Sequence, residues 1–150
     1  MAGHSGGATN SDGTAMVDEA NLHIWMALKE RIPMAWQGLV AWPLETFEVG
    51  EEPFLAVQFM PGRVVKTTIA EPKSDRTGVL LLRYVIQIGT ASQAQVLYQA
   101  SRIAAFFLSG LKLRHEDVCV RIDEDPEVLG GYRDGGYWHT PIRVKWRCYA

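Results

Sequence analysis

The stretch Gly78-Val-Leu-Leu-Leu-Arg-Tyr-Val-Ile-Gln-Ile88, followed by Gly89-Thr-Ala-Ser-Gln93 and the run from Ala94 to Leu108, decides how this chain folds. Side chains alternate across a strand, so Leu80, Leu82, Tyr84, Ile86 and Ile88 share one face. Val79, Leu81, Arg83, Val85 and Gln87 share the other. The first face is wholly apolar and the second turns polar towards its end, the pattern of a strand buried on one side. The Gly89 segment breaks the alternation, and Ser92 with Gln95 forms a capping box that would satisfy the first free N–H groups of a helix. Val96, Ala100, Ile103 and Phe107 then recur at helical spacing, with Leu97, Ala104 and Leu108 beside them. That stripe is wide enough to lie on a sheet. Gly110 supplies the stop.

Outward from this centre, Val17 to Ile32 keeps a helical period through Val17, Ala20, Ile24, Leu28 and Ile32. Asp18 and Glu19 stand at its start and Pro33 at its end. Trp25 lies beside the apolar stripe and reads as packing, and the lone His23 has no metal-ligand spacing around it. A short strand is expected near Leu39 to Trp42, then an irregular acidic loop with Glu45, Glu48, Glu51 and Glu52. Trp36, Trp42 and Phe47 in this region fit either an interface or ordinary packing. Strands follow at Pro53–Met60 and Arg63–Ile69, parted by a Pro61-Gly62 turn, and a long hairpin loop at Ala70–Thr77 leads into the central strand.

Beyond the second helix, Asp117–Asp123 reads as a strand, Glu124–Glu127 as a turn, Val128–Arg133 as irregular strand and Asp134-Gly-Gly136 as a hairpin turn. In the last strand, His139–Tyr149, Ile142, Val144, Trp146 and Cys148 face one way, while Arg143, Lys145 and Arg147 form a cationic row on the other. That row is repulsive unless it is solvated or paired with acids. The fold class is therefore α+β, a mixed, mostly antiparallel sheet of about five to six strands packed against two amphipathic helices. Residues 16–150 form the single domain. Residues 1–15, rich in Gly, Ser, Thr and Ala, form an N-terminal arm, flexible or ordered on assembly.

Composition narrows the function. With 150 residues, 47% of them hydrophobic, the chain can bury a real core, and a formal net charge of −2 gives no reason to expect sequence-specific nucleic-acid binding. No apolar run approaches the roughly 20 residues that span a bilayer, so no membrane partner is expected and the chain reads as soluble and made in the cytosol. Cys119 and Cys148 point to opposite faces of separate strands and read as free thiols. There is no phosphate loop, nucleophile elbow, His-Glu-x-x-His pair or Cys-x-x-Cys, so no catalytic residue, cofactor or metal is expected. The enzymatic alternative is a small metal-dependent hydrolase built on His115, Glu116, Asp117, Asp123, Glu124 and Asp125. A solvated acidic turn accounts for the same residues.

The order of elements, with Trp42-Pro43, Pro53–Val57 and the terminal Gly131–Arg147 segment, resembles the tail terminator proteins of long-tailed phages. Phage-related and gene-transfer-agent relatives share this layout. The resemblance covers about Val17 to Tyr149. It implies a homo-oligomeric, hexameric ring in the virion at the head-proximal end of the tail. There the ring arrests tube polymerisation, and its partners are the major tail tube protein and the head-tail connector. A connector or stopper ring protein is the nearer alternative. Ring closure needs two different complementary side surfaces. Glu45, Glu48, Glu51 and Glu52 on one side and Arg143, Lys145 and Arg147 on the other are the candidates, with Arg63, Lys66, Lys73 and Arg76 as the alternative basic surface.

Overall fold

The alternation of Gly78–Ile88 is realised at the centre of a sheet. The computed structural model describes residues 18–66 and 73–150. The expected arm, Met16, the expected helix start at Val17, and residues 67–72 of the expected strand end and hairpin loop lie outside the described residues. In chain order the elements are α1 (Ala20–Ala35), β1 (Leu39–Ala41), β2 (Phe54–Val65), β3 (Asp75–Gln87) and α2 (Gln93–Ala104), which tightens into a 3-10 turn at Ala105–Phe107. Then come β4 (Lys112–His115), β5 (Val118–Arg121), β6 (Glu127–Val128), β7 (Tyr132–Asp134) and β8 (Tyr137–Tyr149). The sheet runs β1-β2-β3-β8-β5-β4, and the short β6 and β7 add to β8. Among the described residues only β1 and β2 pair in parallel, and every other pairing is antiparallel. The architecture is the expected α+β one.

One face of the sheet is covered by both helices. Leu80, Leu82, Tyr84 and Ile86 of β3 are buried there, as are Ile142, Val144, Trp146 and Cys148 of β8 and Val118 and Val120 of β5. Against them pack Ile24, Leu28 and Ile32 of α1 and Val96, Ala100 and Ile103 of α2, with Phe107 from the following turn. The capping box is present: Ser92 Oγ accepts from Gln95 N at 3.2 Å and Gln95 Oε1 from Ser92 N at 2.8 Å. Leu97 and Leu108, which flank the stripe in the sequence, are exposed. A second, smaller cluster on the opposite face joins Phe54, Ala56 and Val85 to Phe47 and Tyr137.

Three readings need correction, and one that was open gains its intrachain contacts. Pro33 does not end α1, which continues to Ala35. The ring removes one hydrogen bond in the last turn, while Ile32 and Ala35 on either side are buried and Gln37 Nε2 donates to the carbonyls of Pro33 and Met34. Burial outweighs the lost bond. Pro61-Gly62 is not a turn but a register shift inside one continuous β2. Among the described residues β1 covers only Phe54–Ala56 and nothing else pairs with that side of β2, so from Val57 onward β2 is an edge strand there, where proline is tolerated. A Cβ on Gly62 would lie 2.9 Å from the Thr77 carbonyl oxygen, so glycine permits the close approach. A strand absent from the sequence reading, β4, forms a tight hairpin with β5 about Glu116, whose φ is 54°. Finally, the half-buried Trp36, Trp42 and Phe47 make contacts within the chain: Trp36 stacks edge-on against Tyr84, Trp42 against Trp25, and Phe47 tilts on Phe54.

Pro141 survives in the middle of β8 for a topological reason. Its carbonyl accepts from Leu129 N at 2.9 Å, so its nitrogen, on the same side of the strand, faces the irregular link between β6 and β7 and not the β3 ladder. No ladder donor is lost to β3.

Candidate functional surface

Charged side chains on the helix-free face and at the sheet ends were the sequence's candidates, and the fold sorts them into neutralised and open groups. The row on β8 is neutralised within the chain. Arg143 donates through Nε and Nη2 to Glu127 Oε1 at 3.1 and 2.9 Å. Lys145 Nζ lies 3.7 Å from Glu127 and 4.0 Å from Glu124. Arg147 donates Nε to Asp75 Oδ1 at 3.0 Å and Nη2 to Asp75 Oδ2 at 2.6 Å, a two-point pairing of guanidinium with carboxylate. The hydrogen bond from Arg147 holds the Asp75 carboxyl below its ordinary range, and that from Arg143 does the same for Glu127. Arg147 is in turn pushed up by Asp75. The sequence showed the cations but not their partners, because Asp75 and Glu127 reach the row only through the β3–β8 and β6–β8 pairings.

Arg76 is separated from the other basic residues of its group. It is buried, with Nη2 on Asp18 Oδ2 at 2.9 Å and Nε on the Ala150 carbonyl at 3.1 Å. Ser74 and Ala150 exchange both backbone hydrogen bonds beside it. Asp18 also accepts from Ala20 N. Burial pushes the Asp18 carboxyl up, but the bonds from Ala20 and Arg76 more than offset it and leave it lowered. This knot ties the start of α1, the start of β3 and the chain end together.

Arg63, Lys66 and Lys73, by contrast, are exposed around the β2–β3 hairpin and form no ion pair with a described residue. Glu45, Glu48, Glu51 and Glu52 are likewise exposed and unpaired among the described residues. Each group carries exposed aliphatic side chains as well: Val64 and Val65 on the hairpin, Leu44 and Val49 on the acidic loop. Leu44 is fully solvent-exposed at φ 63°, a left-handed conformation that costs a non-glycine residue energy.

The acidic cluster weighed as a metal site is split by the fold. His115, Glu116 and Asp117 lie at the β4–β5 turn, and Asp123, Glu124 and Asp125 lie beyond the other end of β5. Asp125 accepts from Ser109 N at 2.9 Å, Ser109 Oγ donates to the Asp123 carbonyl, and Glu124 faces Lys145. Among the described residues no group of three or more His, Cys, Asp or Glu side chains is placed to hold a metal. His115 instead meets His23, Nδ1 to Nδ1 at 3.0 Å with the rings stacked, a pairing across α1 and β4 that no sequence spacing signals. Cys119 and Cys148 are free thiols, and burial pushes the Cys148 thiol up.

A second contact missed in the sequence is on the helix-free face. Arg83 Nη1 lies 3.1 Å from His139 Nδ1, Asp134 is 3.9 Å from Nε2, and Tyr132 stacks on the ring at 5.0 Å. Arginine can only donate, so His139 accepts at Nδ1 and is a neutral imidazole protonated at Nε2. Burial, and then the Arg83 charge, hold its pKa below the ordinary value.

No helix among the described residues is long and apolar enough to cross a membrane. None of the curated proteins matches the chain. A solved protein chain shares the fold at a TM-score of 0.68 and 20% identity, with 83% of this chain and 92% of that one covered. At that identity the likeness concerns the fold alone. A family model described as phage tail terminator protein matches residues 23–146, from the first turn of α1 to Trp146 in β8, so nearly the whole folded unit is included. The chain belongs to the phage tail terminator family, a family of structural components of the virion tail.

Proposed function

We propose that copies of this chain close into a ring, expected to be a hexamer, that caps the head-proximal end of the tail tube. The ring stops polymerisation of the major tail tube protein and offers the surface on which the head-tail connector docks. The observation that carries this reading is the family match over residues 23–146, which takes in the sheet and both helices rather than a local motif. The surface chemistry supports it. A closed ring needs two unlike complementary sides, and among the described residues one acidic and one basic group have no ion-pair partner while the other cationic row is neutralised internally.

The test is electron microscopy of particles made without the chain and with it restored. Loss of the chain should give tails of uncontrolled length that fail to join heads, and the purified protein should cap isolated tails. Tails of normal length, with the protein retained instead on filled heads after tails are lost, would assign it to the connector or stopper class.

A further inference from the structure

On the helix-free face, β4, β5 and β8 set like charges directly opposite one another. Lys112 pairs in register with Arg121, and Arg121 with Arg147. Arg114 stands two residues along β4 from Lys112, opposite Cys119. The same pairings fix the face: Leu113, Val120 and Cys148 turn to the helices, so the cations between them turn away. Directly opposed side chains of an antiparallel pair have Cβ atoms about 4.5–5.5 Å apart, and like charges there destabilise the sheet. Asp75 relieves Arg147. Lys112, Arg114 and Arg121 are exposed and form no ion pair with a described residue. Such a ladder costs the subunit stability that an anion from outside would restore.

The chain carries a matching anion at the far corner of the same face. Phe47 tilts on Phe54 at 4.7 Å and Tyr137 Oη donates to the Gly50 carbonyl at 3.1 Å, which holds the acidic loop in place. Its Glu45, Glu48, Glu51 and Glu52 remain exposed. The sheet order sets β1 and β2 at one edge and β5 and β4 at the other. Along β8, Tyr137 and Arg147 are about ten residues or roughly 33 Å apart. That exceeds the Debye length of about 8–10 Å several times over, so the loop cannot relieve the cations of its own subunit.

We propose that the acidic loop of one copy docks on the β4–β5 face of the next, its glutamates reaching Lys112, Arg114 and Arg121. The proposal rests on the ring reading and names its subunit contact. A second copy is the occupant because the two charge-complementary sites lie on one chain at separated corners, the requirement for a head-to-tail contact that can close by rotation.

Two reversals test it: Glu48→Lys with Glu51→Lys on the loop, and Arg114→Glu with Arg121→Glu on the β4–β5 face. Self-association of the full chain is read by sedimentation and native mass spectrometry at low and high salt. Wild type should associate, more tightly at low salt, and each reversed chain alone should lose at least about tenfold in affinity from like-charge juxtaposition. An equimolar mixture of the two reversed chains should associate again, because each loop then meets a face of opposite sign. The β4–β5 reversal also places a carboxylate between Lys112 and Arg147, so its melting temperature should hold or rise while its association falls. A folding defect gives the opposite. A monomeric wild type, reversals without effect on association, or a mixture that stays dissociated would each overturn the contact. Binding of a duplex DNA probe that the β4–β5 reversal abolishes, with self-association intact, would overturn it too and assign the ladder to phosphates. Tail capping by the same variants is scored separately. Capping that survives both reversals would leave the terminator reading standing and discard this contact, whereas a wild-type chain that associates but never caps would discard the terminator reading alone.

Discussion

At the residue scale, two positions show how little room the centre of the sheet leaves. Gly78 faces Trp146 across the β3–β8 pairing, and a Cβ built there would lie 2.2 Å from the indole and 2.6 Å from the Met60 carbonyl oxygen. The indole is itself held by Phe59, stacked at 5.7 Å, so it cannot give way cheaply. Gly78→Ala should therefore cost about 1–3 kcal/mol, and a chemical denaturation midpoint equal to wild type would show that Trp146 is not fixed over the glycine. His139 provides a pH dependence. Above its ordinary pKa of 6.5 the ring is neutral whether the chain is folded or not; below it the unfolded chain takes up a proton that the folded chain resists. Stability should thus begin to fall as the pH drops below 6.5, and His139→Gln should flatten the melting temperature between pH 7 and 5.5 relative to wild type. Asp18, Asp75 and Glu127 work in a lower window. Their folded pKa values are depressed, so the stability they supply is present above the ordinary values of 3.8 and 4.5 and is lost as the pH falls through the folded ones.

At the element scale, α2 is held by its ends and by one face. Ser92→Ala removes the acceptor for Gln95 N and should cost about 0.5–2 kcal/mol, visible as a lowered melting temperature with an unchanged helical signal. Ile103→Asp acts through the face. Ile103 is completely buried against the sheet, and an unpaired carboxylate there costs several kcal/mol against a total stability of about 5–15. Soluble Ile103→Asp protein that melts cooperatively would mean that α2 does not cover the sheet. α2 was legible in the sequence because cap, stripe and stop all agree over one short stretch. The Pro61-Gly62 shift was not, because the dipeptide has the same local preferences in a turn and in an edge-strand bulge; only the pairing of β2 with β3 on both sides of it decides between them.

At the scale of the whole molecule, the charge pattern gains a different meaning from the one its row on β8 suggested. Arg143 and Arg147 each close on a carboxylate of the same chain. Arg143→Glu should therefore place a like charge beside Glu127 and lower the melting temperature of the subunit, by less at high salt than at low salt. Self-association measured at a temperature where the variant is folded should stay near wild type. The opposite outcome, unchanged melting with lost association, would return the β8 row to the interface.

What the sequence by itself determined is what depends on neighbours along the chain. The buried face of β3, the capping box, the stripe of α2, the inward set Ile142, Val144, Trp146 and Cys148, and the Asp134-Gly-Gly136 hairpin each follow from a period or a cap spanning a few residues. What only the tertiary structure decided is who meets whom across long separations: Asp75 with Arg147, Asp18 with Arg76, His23 with His115, Arg83 with His139. An ionised side chain has no periodic signature that names its partner. Whether a cation is spent inside the fold or left for a neighbour is fixed by strand register and sheet order, which are set by burying the apolar faces and not by the charges.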